Sequence, residues 1–129
     1  MNKILVEVSV GELLDKISIL EIKQEKIKDP ENLKFIKDEY NVLKAELNKN
    51  IKHDDKLEGL FNSLKEINSK LWIIEDEKRM CEKNKDFGEN FIKLSRDVHF
   101  LNDNRAKIKL EINNHKDSKI KEIKEYTKY

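Results

Sequence analysis

Apolar side chains recur every three or four residues in four long stretches of the chain, which is the spacing of one helix face. The four stripes are Val10, Leu13, Ile17, Leu20 and Ile27, with Gln24 in the seam; Leu33, Ile36, Tyr40, Leu43 and Leu47; Leu57, Leu60, Leu64, Ile67, Leu71 and Ile74, followed by Lys78 and Cys81; and Phe87, Phe91, Leu94, Val98, Leu101, Ile108 and Ile112, with Arg105 in the seam. Because the spacing holds over several heptads, it predicts four long helices that cross at shallow angles, as in a bundle or a coiled coil.

Short capping patterns predict where these helices begin. Ser9, Asp55 and Asp86 are each followed three residues later by Glu, as in a capping box. Asp29 precedes Pro30, a residue favoured in the first helical turn. We therefore predict a single helical domain over residues 1–129, with helices over 9–28, 30–50, 55–84 and 87–116 and a tail over 117–129. The short link between the third and fourth helices predicts an antiparallel hairpin.

The segment before the first helix has a different character. Residues 3–8 read KILVEV, a run rich in β-branched residues, and this composition predicts a short N-terminal β-strand. A lone strand is rarely stable, so we expect it to pair with the C-terminal tail or with another chain. The predicted fold is thus mostly all-α, an antiparallel bundle of four long helices with this one short strand.

Composition and charge exclude several classes of protein. The chain has 27 basic and 26 acidic residues and a net charge of +1, which makes nucleic acid an unlikely partner. It lacks the apolar run of roughly 18 residues that a membrane-spanning helix needs, and its start is a poor signal peptide. The single cysteine, Cys81, fits a reducing compartment. We therefore expect a cytoplasmic protein without a membrane partner.

One stretch, LWIIEDEKRMCEKNKDFGENF at residues 71–91, contains an Asp-Phe-Gly tripeptide that holds a metal ion in protein kinases. A kinase also needs a Gly-rich loop, a strand lysine and a His-Arg-Asp loop, and the sequence has none of them. We therefore interpret Asp86 as a helix cap at the bend between two helices.

The arginines are the most informative candidates for a functional site. Only Arg79, Arg96 and Arg105 are Arg among the 27 basic residues, so these positions favour a planar group that makes paired bonds to an anion. The candidate anion or partner site consists of Trp72, Glu75, Arg79, Asn102 and Arg105. The same side chains also fit a structural polar network between helices, and both interpretations stay open at this stage.

Arg105 lies in the apolar seam of the fourth predicted helix and therefore needs an acidic partner. Counting outward from the hairpin turn, Glu66 is the nearest acid on the third helix. Acids of the first helix, Glu12, Asp15 and Glu21, are alternatives.

Metal and catalytic residues are scarce. His99 and Asp103 are four residues apart, which makes half of a metal site, but no second His lies near them in the sequence. Cys81 is a seam residue and fits a small buried hydrophobe better than a nucleophile. We predict no catalytic residue, no metal site and no cofactor.

Three segments resemble the bacterial and phage domain-of-unknown-function family 6165. They are VEVSVGELLDKISILEIKQEKI, LWIIEDEKRMCEKNKDFGENFIKLSRDV and NDNRAKIKLEIN. The resemblance runs from Val6 to about Tyr126 and departs from the family at Ser95-Arg96-Asp97, where members tend to carry Ala-Arg and a small residue. It implies a small helical protein without an assigned activity, with a link to surface-polysaccharide biosynthesis.

Two functions follow as expectations. The first is a non-enzymatic interaction or scaffold protein, a homodimer that contacts its partner through the N-terminal strand or through the third and fourth helices and that also offers a surface to other proteins. The alternative is a small all-helical enzyme or anion-binding protein, with an Arg/Glu site between the third and fourth helices.

Overall fold

The computed structural model describes residues 2–129 and confirms a packed bundle of four helices. The helices are α1 (Val10–Lys26), α2 (Pro30–Asn50), α3 (Asp55–Lys83) and α4 (Glu89–His115). Their ends lie within two residues of the predicted bounds. None of these helices is both long and apolar enough to cross a membrane, within the residues described.

The first three helices begin at side-chain caps. Ser9 Oγ accepts a hydrogen bond from the Glu12 backbone N–H, and Asp29 caps α2 in the same way. The cap of α3 is Asp54 rather than the predicted Asp55, because Asp54 Oδ1 accepts from the Leu57 N–H at 2.7 Å. The predicted capping box is therefore one residue out of register.

The fourth helix begins differently from the prediction. Its N-cap is Gly88, which has no side chain to offer, and Asp86 accepts only from the Gly88 N–H at 3.2 Å. The reason lies in how α3 ends: Lys85 adopts a left-handed φ of 54°, and the Asp86 N–H donates to the Cys81 carbonyl. Asp86 thus closes the turn after α3, and α4 starts three residues later.

The predicted N-terminal strand is wrong. Residues 3–8 have no regular secondary structure and form no ladder with the tail within the described chain. A strand needs a neighbouring backbone, but among the described residues the Glu7–Lys119 ion pair at 3.9 Å is the only hydrogen bond or ion pair that joins the segment to the tail. Ile4, Leu5 and Val6 are consequently 74–86% exposed.

The tail lies back along α4 instead of pairing with the N-terminal segment. Glu122 accepts from Lys109 on α4 at 3.2 Å, and the Tyr129 hydroxyl bonds to Asp103. The Tyr129 ring also packs against the edges of His99 and Phe100. These contacts hold residues 122–129 beside α4, away from residues 3–8.

The core lies between α1, its partner α2 and the α3–α4 hairpin. Its buried members are Leu14, Ile17, Leu47, Leu57, Leu64 and Ile112. Of the stripe residues in the middle of the hairpin, Leu64, Leu71 and Leu94 are buried, whereas Ile67, Val98 and Leu101 are half-buried. The hairpin seam is therefore correct in register but only partly covered.

The start of α1 is fastened to the end of α4, which positions the polar residues described below. The Gly11 N–H donates to Asn113 Oδ1 at 2.7 Å, and the Val10 N–H donates to Ser118 Oγ at 3.2 Å. A Cβ at Gly11 would lie 2.5 Å from the Lys109 carbonyl oxygen, so only glycine allows this approach. The free N–H groups of the first turn of α1 are thereby satisfied.

The hairpin has two unequal halves. All hydrogen bonds from α1 side chains and backbone to the hairpin fall on the inner half, residues 55–72 and 101–115, within the described chain. The outer half, residues 73–100, has only two buried apolar side chains, Cys81 and Leu94. Its exposed apolar side chains are Ile73, Met80, Phe87, Ile92 and Phe100.

Candidate functional site

A carboxylate of α1, Asp15, lies at the centre of the contact between α1 and the hairpin. Asp15 is 2% exposed, and its Oδ1 accepts from Arg105 Nε at 3.0 Å and from Asn68 Nδ2 at 2.8 Å. Its Oδ2 accepts from Arg105 Nη2, so the guanidinium binds both carboxylate oxygens. Asn68 also donates to the hydroxyl of Ser18. One acid thus joins α1, α3 and α4.

The partner of Arg105 is therefore Asp15, one of the first-helix alternatives, and the preference for Glu66 is wrong. Glu66 lies on the outside of α3, where its only ion pair is with Lys70 at 3.5 Å among the residues described. Counting residues from the hairpin turn shows which positions of α3 and α4 lie at the same height, but it does not show on which side of α4 a residue lies. Arg105 lies on the side of α4 that faces α1. The bond to Asp15 raises the pKa of Arg105, although burial opposes it.

A second cation, Lys109, extends this polar cluster towards the tail. Its Nζ donates to Glu12 at 2.7 Å and to Glu122 at 3.2 Å, and it lies 3.9 Å from Asp15. Burial works against the charge of Lys109, but these acids outweigh it and raise its pKa. The hydrogen bond from Lys109 lowers the pKa of Glu122. Each of the two cations in the cluster, Arg105 and Lys109, is therefore paired with at least one acid.

Next to the cluster, an open groove of about 420 Å³ runs between α1 and the hairpin. Apolar side chains of Ile19, Ile22, Leu71 and Trp72 form part of its wall. The polar part of the wall is formed by Asn68, Glu75, Asp76, Arg79 and Arg105. The structure thus brings four of the five predicted site residues, Trp72, Glu75, Arg79 and Arg105, to one groove.

The charged and amide side chains among the predicted site residues are nevertheless bonded to one another or to the fold. Arg79 Nη1 donates to Glu75 at 2.9 Å along the exposed side of α3. Asn102, the fifth residue, accepts from Arg105 Nη1 at 3.4 Å. Two acids face two arginines in the wall, so the groove offers no net positive charge to an anion.

The buried polar atoms described by the structure all have hydrogen-bond partners. Ser18 illustrates what this means for chemistry: its hydroxyl donates to the Asp15 carbonyl and accepts from Asn68, so no base is placed to activate it. A cluster whose donors and acceptors are already paired holds helices together and leaves little free to bind a ligand.

Sequence reasoning missed four members of the cluster, Ser18, Asn68, Lys109 and Glu122. Asn68 and Lys109 lie outside the apolar stripes of their helices, yet both are buried and bonded to α1. The available signal was periodicity: Asp15 follows Gly11 by four residues and precedes Ile22 by seven, so these three share the buried side of α1. An acid on such a face requires buried donors elsewhere in the fold.

The possible metal ligands are placed apart from this cluster. His99 packs against Phe100 and Tyr129, and Asp103 bonds to the Tyr129 hydroxyl. Within residues 2–129, no group of three or more His, Cys, Asp or Glu side chains is arranged to hold a metal ion.

Comparisons with known proteins add one assignment to this geometry. No curated protein and no solved structure matches the chain. A family model described as a family of unknown function, DUF6165, matches residues 4–129. This match covers nearly the whole chain, including all four helices and every residue of the polar cluster, so the chain belongs to the DUF6165 family.

Proposed function

We propose that this protein is a non-enzymatic helical interaction protein that associates with a second copy of itself and offers its long helices to other proteins. The polar cluster supports this proposal because its groups are paired with each other and hold the bundle together. In this proposal the cluster positions the hairpin, and the hairpin makes the contacts.

The observation that carries the proposal is the amount of exposed surface. The chain exposes 9639 Å². A compact monomer of 15.4 kDa is expected to expose about 7,200 Å². The excess of about 2,400 Å² is three times the roughly 800 Å² that each partner buries in an ordinary interface.

Much of the exposed apolar surface is concentrated in two places. The N-terminal segment contributes Ile4, Leu5 and Val6, and the outer half of the hairpin contributes the side chains named above. Exposed apolar side chains grouped in this way are typical of a contact between proteins. A role beside surface-polysaccharide biosynthesis and a cytoplasmic location are parts of the proposal that rest on the sequence alone.

Light scattering after size exclusion tests self-association. We expect a mass of twice 15.4 kDa at micromolar concentrations. A mass of 15.4 kDa that does not rise with concentration would remove the homodimer from the proposal. A search for other partners would then use the whole chain as bait, with a variant altered in the outer half as control.

The groove favours a second candidate function, a small-ligand or anion-binding protein. Its volume of about 420 Å³ falls within the range of known small-molecule sites, and it combines Trp72 with two arginines. This candidate ranks second because Asp15 and Glu75 already neutralise Arg105 and Arg79.

Fluorescence of the only tryptophan tests this candidate directly, since Trp72 lies in the groove wall. The probes are inorganic phosphate and a small dicarboxylate. A saturable change that disappears in Arg79→Ala would support a ligand site. A signal that stays constant with both probes would leave the groove without an anion-binding role.

A further inference from the structure

One face of the outer hairpin lies around a shallow groove of about 430 Å³ that opens between α3 and α4. Its apolar centre includes Ile73 and Ile74 on α3 and Leu94 and Phe100 on α4. Ile73 and Phe100 are 48% and 38% exposed, and within the described residues neither α1 nor α2 forms a hydrogen bond with this face. We call it the outer face.

On the α3 side of the outer face, a positive residue and a negative residue lie at opposite ends of the apolar centre. Lys70 precedes Ile73 by three residues, and Glu77 follows Ile74 by three, so the four side chains share one stripe of the helix. The stripe therefore runs from positive, through two apolar residues, to negative. When a second stripe runs in the opposite direction beside the first, the positive end of each lies next to the negative end of the other, and the two apolar centres meet.

We propose, building on the self-association proposed above, that the outer face is the contact between two copies of this chain. A two-fold axis that lies in the interface, perpendicular to α3 and level with Ile73 and Ile74, makes the two α3 helices antiparallel. Lys70 of each copy then lies opposite Glu77 of the other, and the apolar centres meet. A two-fold contact requires self-complementarity of this kind.

The remaining charges on the face are compatible with this arrangement. Lys93 and Asp97 form an ion pair within α4 at 2.9 Å, so neither enters the contact alone. Lys70 has a single ion-pair partner, Glu66, at 3.5 Å; Glu77 has no cation within 4.0 Å in the described chain, although its charge helps raise the pKa of Lys93 across the hairpin. Contact with a second copy gives Glu77 a cation, and the two hairpins form four antiparallel helices around a common apolar seam.

The first test replaces the apolar centre. Ile73→Asp places two carboxylates beside the axis, and we expect the dimer dissociation constant from sedimentation to rise by about 100-fold or more. Because Ile73 is 48% exposed, we expect the fold to tolerate the change, and circular dichroism of the variant checks this. Val42→Asp is the matched control, because Val42 is a 62% exposed apolar residue on α2, away from this face.

The second test exchanges charges, which separates this contact from any other. Lys70→Glu and Glu77→Lys should each weaken their own dimer by about tenfold, since two symmetry-related pairs turn from attraction to repulsion. An equimolar mixture should form the mixed dimer with nearly the affinity of the unaltered protein, because both pairs are again opposite in sign. Different mass tags on the two variants identify the mixed dimer.

The outcomes distinguish this inference from the proposed function. A dimer that Val6→Asp breaks and Ile73→Asp leaves intact would overturn the outer face as the contact while self-association stands. Charge variants that dimerise as tightly alone as when mixed would overturn the antiparallel arrangement. An unaltered protein that stays a monomer at every concentration would overturn both.

Discussion

The inner and outer halves of the α3–α4 hairpin are continuous helices of similar composition with very different environments. In the inner half α1 covers the seam, and buried polar side chains such as Asn68 and Lys109 find partners there. In the outer half the same kind of apolar stripe leaves Phe87 50% exposed and Ile74, Phe91 and Val98 only half-buried. Helix periodicity therefore marks which side of a helix is apolar, and a third helix decides whether that side is buried.

The difference also explains where arginine is structural. Arg105, in the inner half, holds a carboxylate that is 2% exposed, whereas Arg79, in the outer half, pairs with Glu75 on the surface. Removing one partner of a buried pair leaves an uncompensated charge, while an exposed pair is replaced by water. The following predictions test this contrast, beginning with the largest effect.

Asp15→Ala should produce the largest loss of stability. It leaves Arg105 and Asn68 without their shared acceptor, which is expected to cost about 3–5 kcal/mol in the free energy of unfolding. Denaturant titration measures the change. The matched control, Glu75→Ala, removes the exposed partner of Arg79 and should change stability by less than about 0.5 kcal/mol. Equal effects of the two variants would contradict the contrast between the halves.

Leu64→Ala should cost about 2–5 kcal/mol, because Leu64 is 0% exposed and the space left behind is enclosed by α1. The comparison variant is Ile92→Ala in the outer half, where the side chain is 55% exposed, and its cost should stay below about 1 kcal/mol in the monomer. Thermal unfolding of both variants, followed by circular dichroism, provides the measurement. A smaller loss for Leu64→Ala than for Ile92→Ala would show that α1 does not cover the inner seam.

Two glycines allow an even closer comparison. Gly11→Ala places a Cβ 2.5 Å from the Lys109 carbonyl oxygen and should destabilise by about 1–3 kcal/mol as α1 is forced away from α4. Gly59→Ala meets no atom within 4 Å and should stabilise α3 by about 0.4–1 kcal/mol. Opposite signs in the same unfolding assay are the expected result. If both variants gain stability, the close approach of α1 and α4 is incorrect.

The smallest predicted effect concerns stability at low pH and Asp54, the N-cap of α3. Bonds from Lys116, from the Leu57 N–H and from His115 hold the pKa of Asp54 well below its ordinary 3.8. A carboxyl whose pKa is lower in the folded state than in the unfolded state stabilises the fold at pH values above its unfolded-state pKa. This contribution is lost as the pH falls through its folded-state pKa. Asp54→Asn should therefore flatten the decline of stability below about pH 4. Unfolding at a series of pH values measures this, with the exposed outer-half acid Asp76→Asn as control.

The helices themselves could be predicted because their signals are local. Apolar spacing and caps such as Ser9 and Asp29 act within one or two turns, so four helices and their bounds follow from the chain without knowledge of the fold. Errors arose where two local signals competed. Asp54 and Asp55 are both able to cap, and the end of α3 takes Asp86 into its closing turn.

The candidate site was predicted only in part for a different reason. Trp72, Glu75 and Arg79 are spaced along one side of a single helix, so their proximity follows from helix geometry. The partner of Arg105 is 90 residues away in the chain, and no local pattern indicates which side of α4 faces α1. The prediction of an N-terminal strand was wrong for the same reason, because a β-prone sequence forms a strand only beside another backbone.

The sequence by itself determined the number of helices, the apolar side of each and the presence of a seam arginine that required an acid. The tertiary structure alone decided that this acid is Asp15, that Gly11 sits against the backbone of α4, and that the outer half of the hairpin stays uncovered. The physical reason is range. Hydrogen bonds and side-chain spacing within a helix act over a few residues, whereas burial depends on which surfaces the completed chain brings into contact.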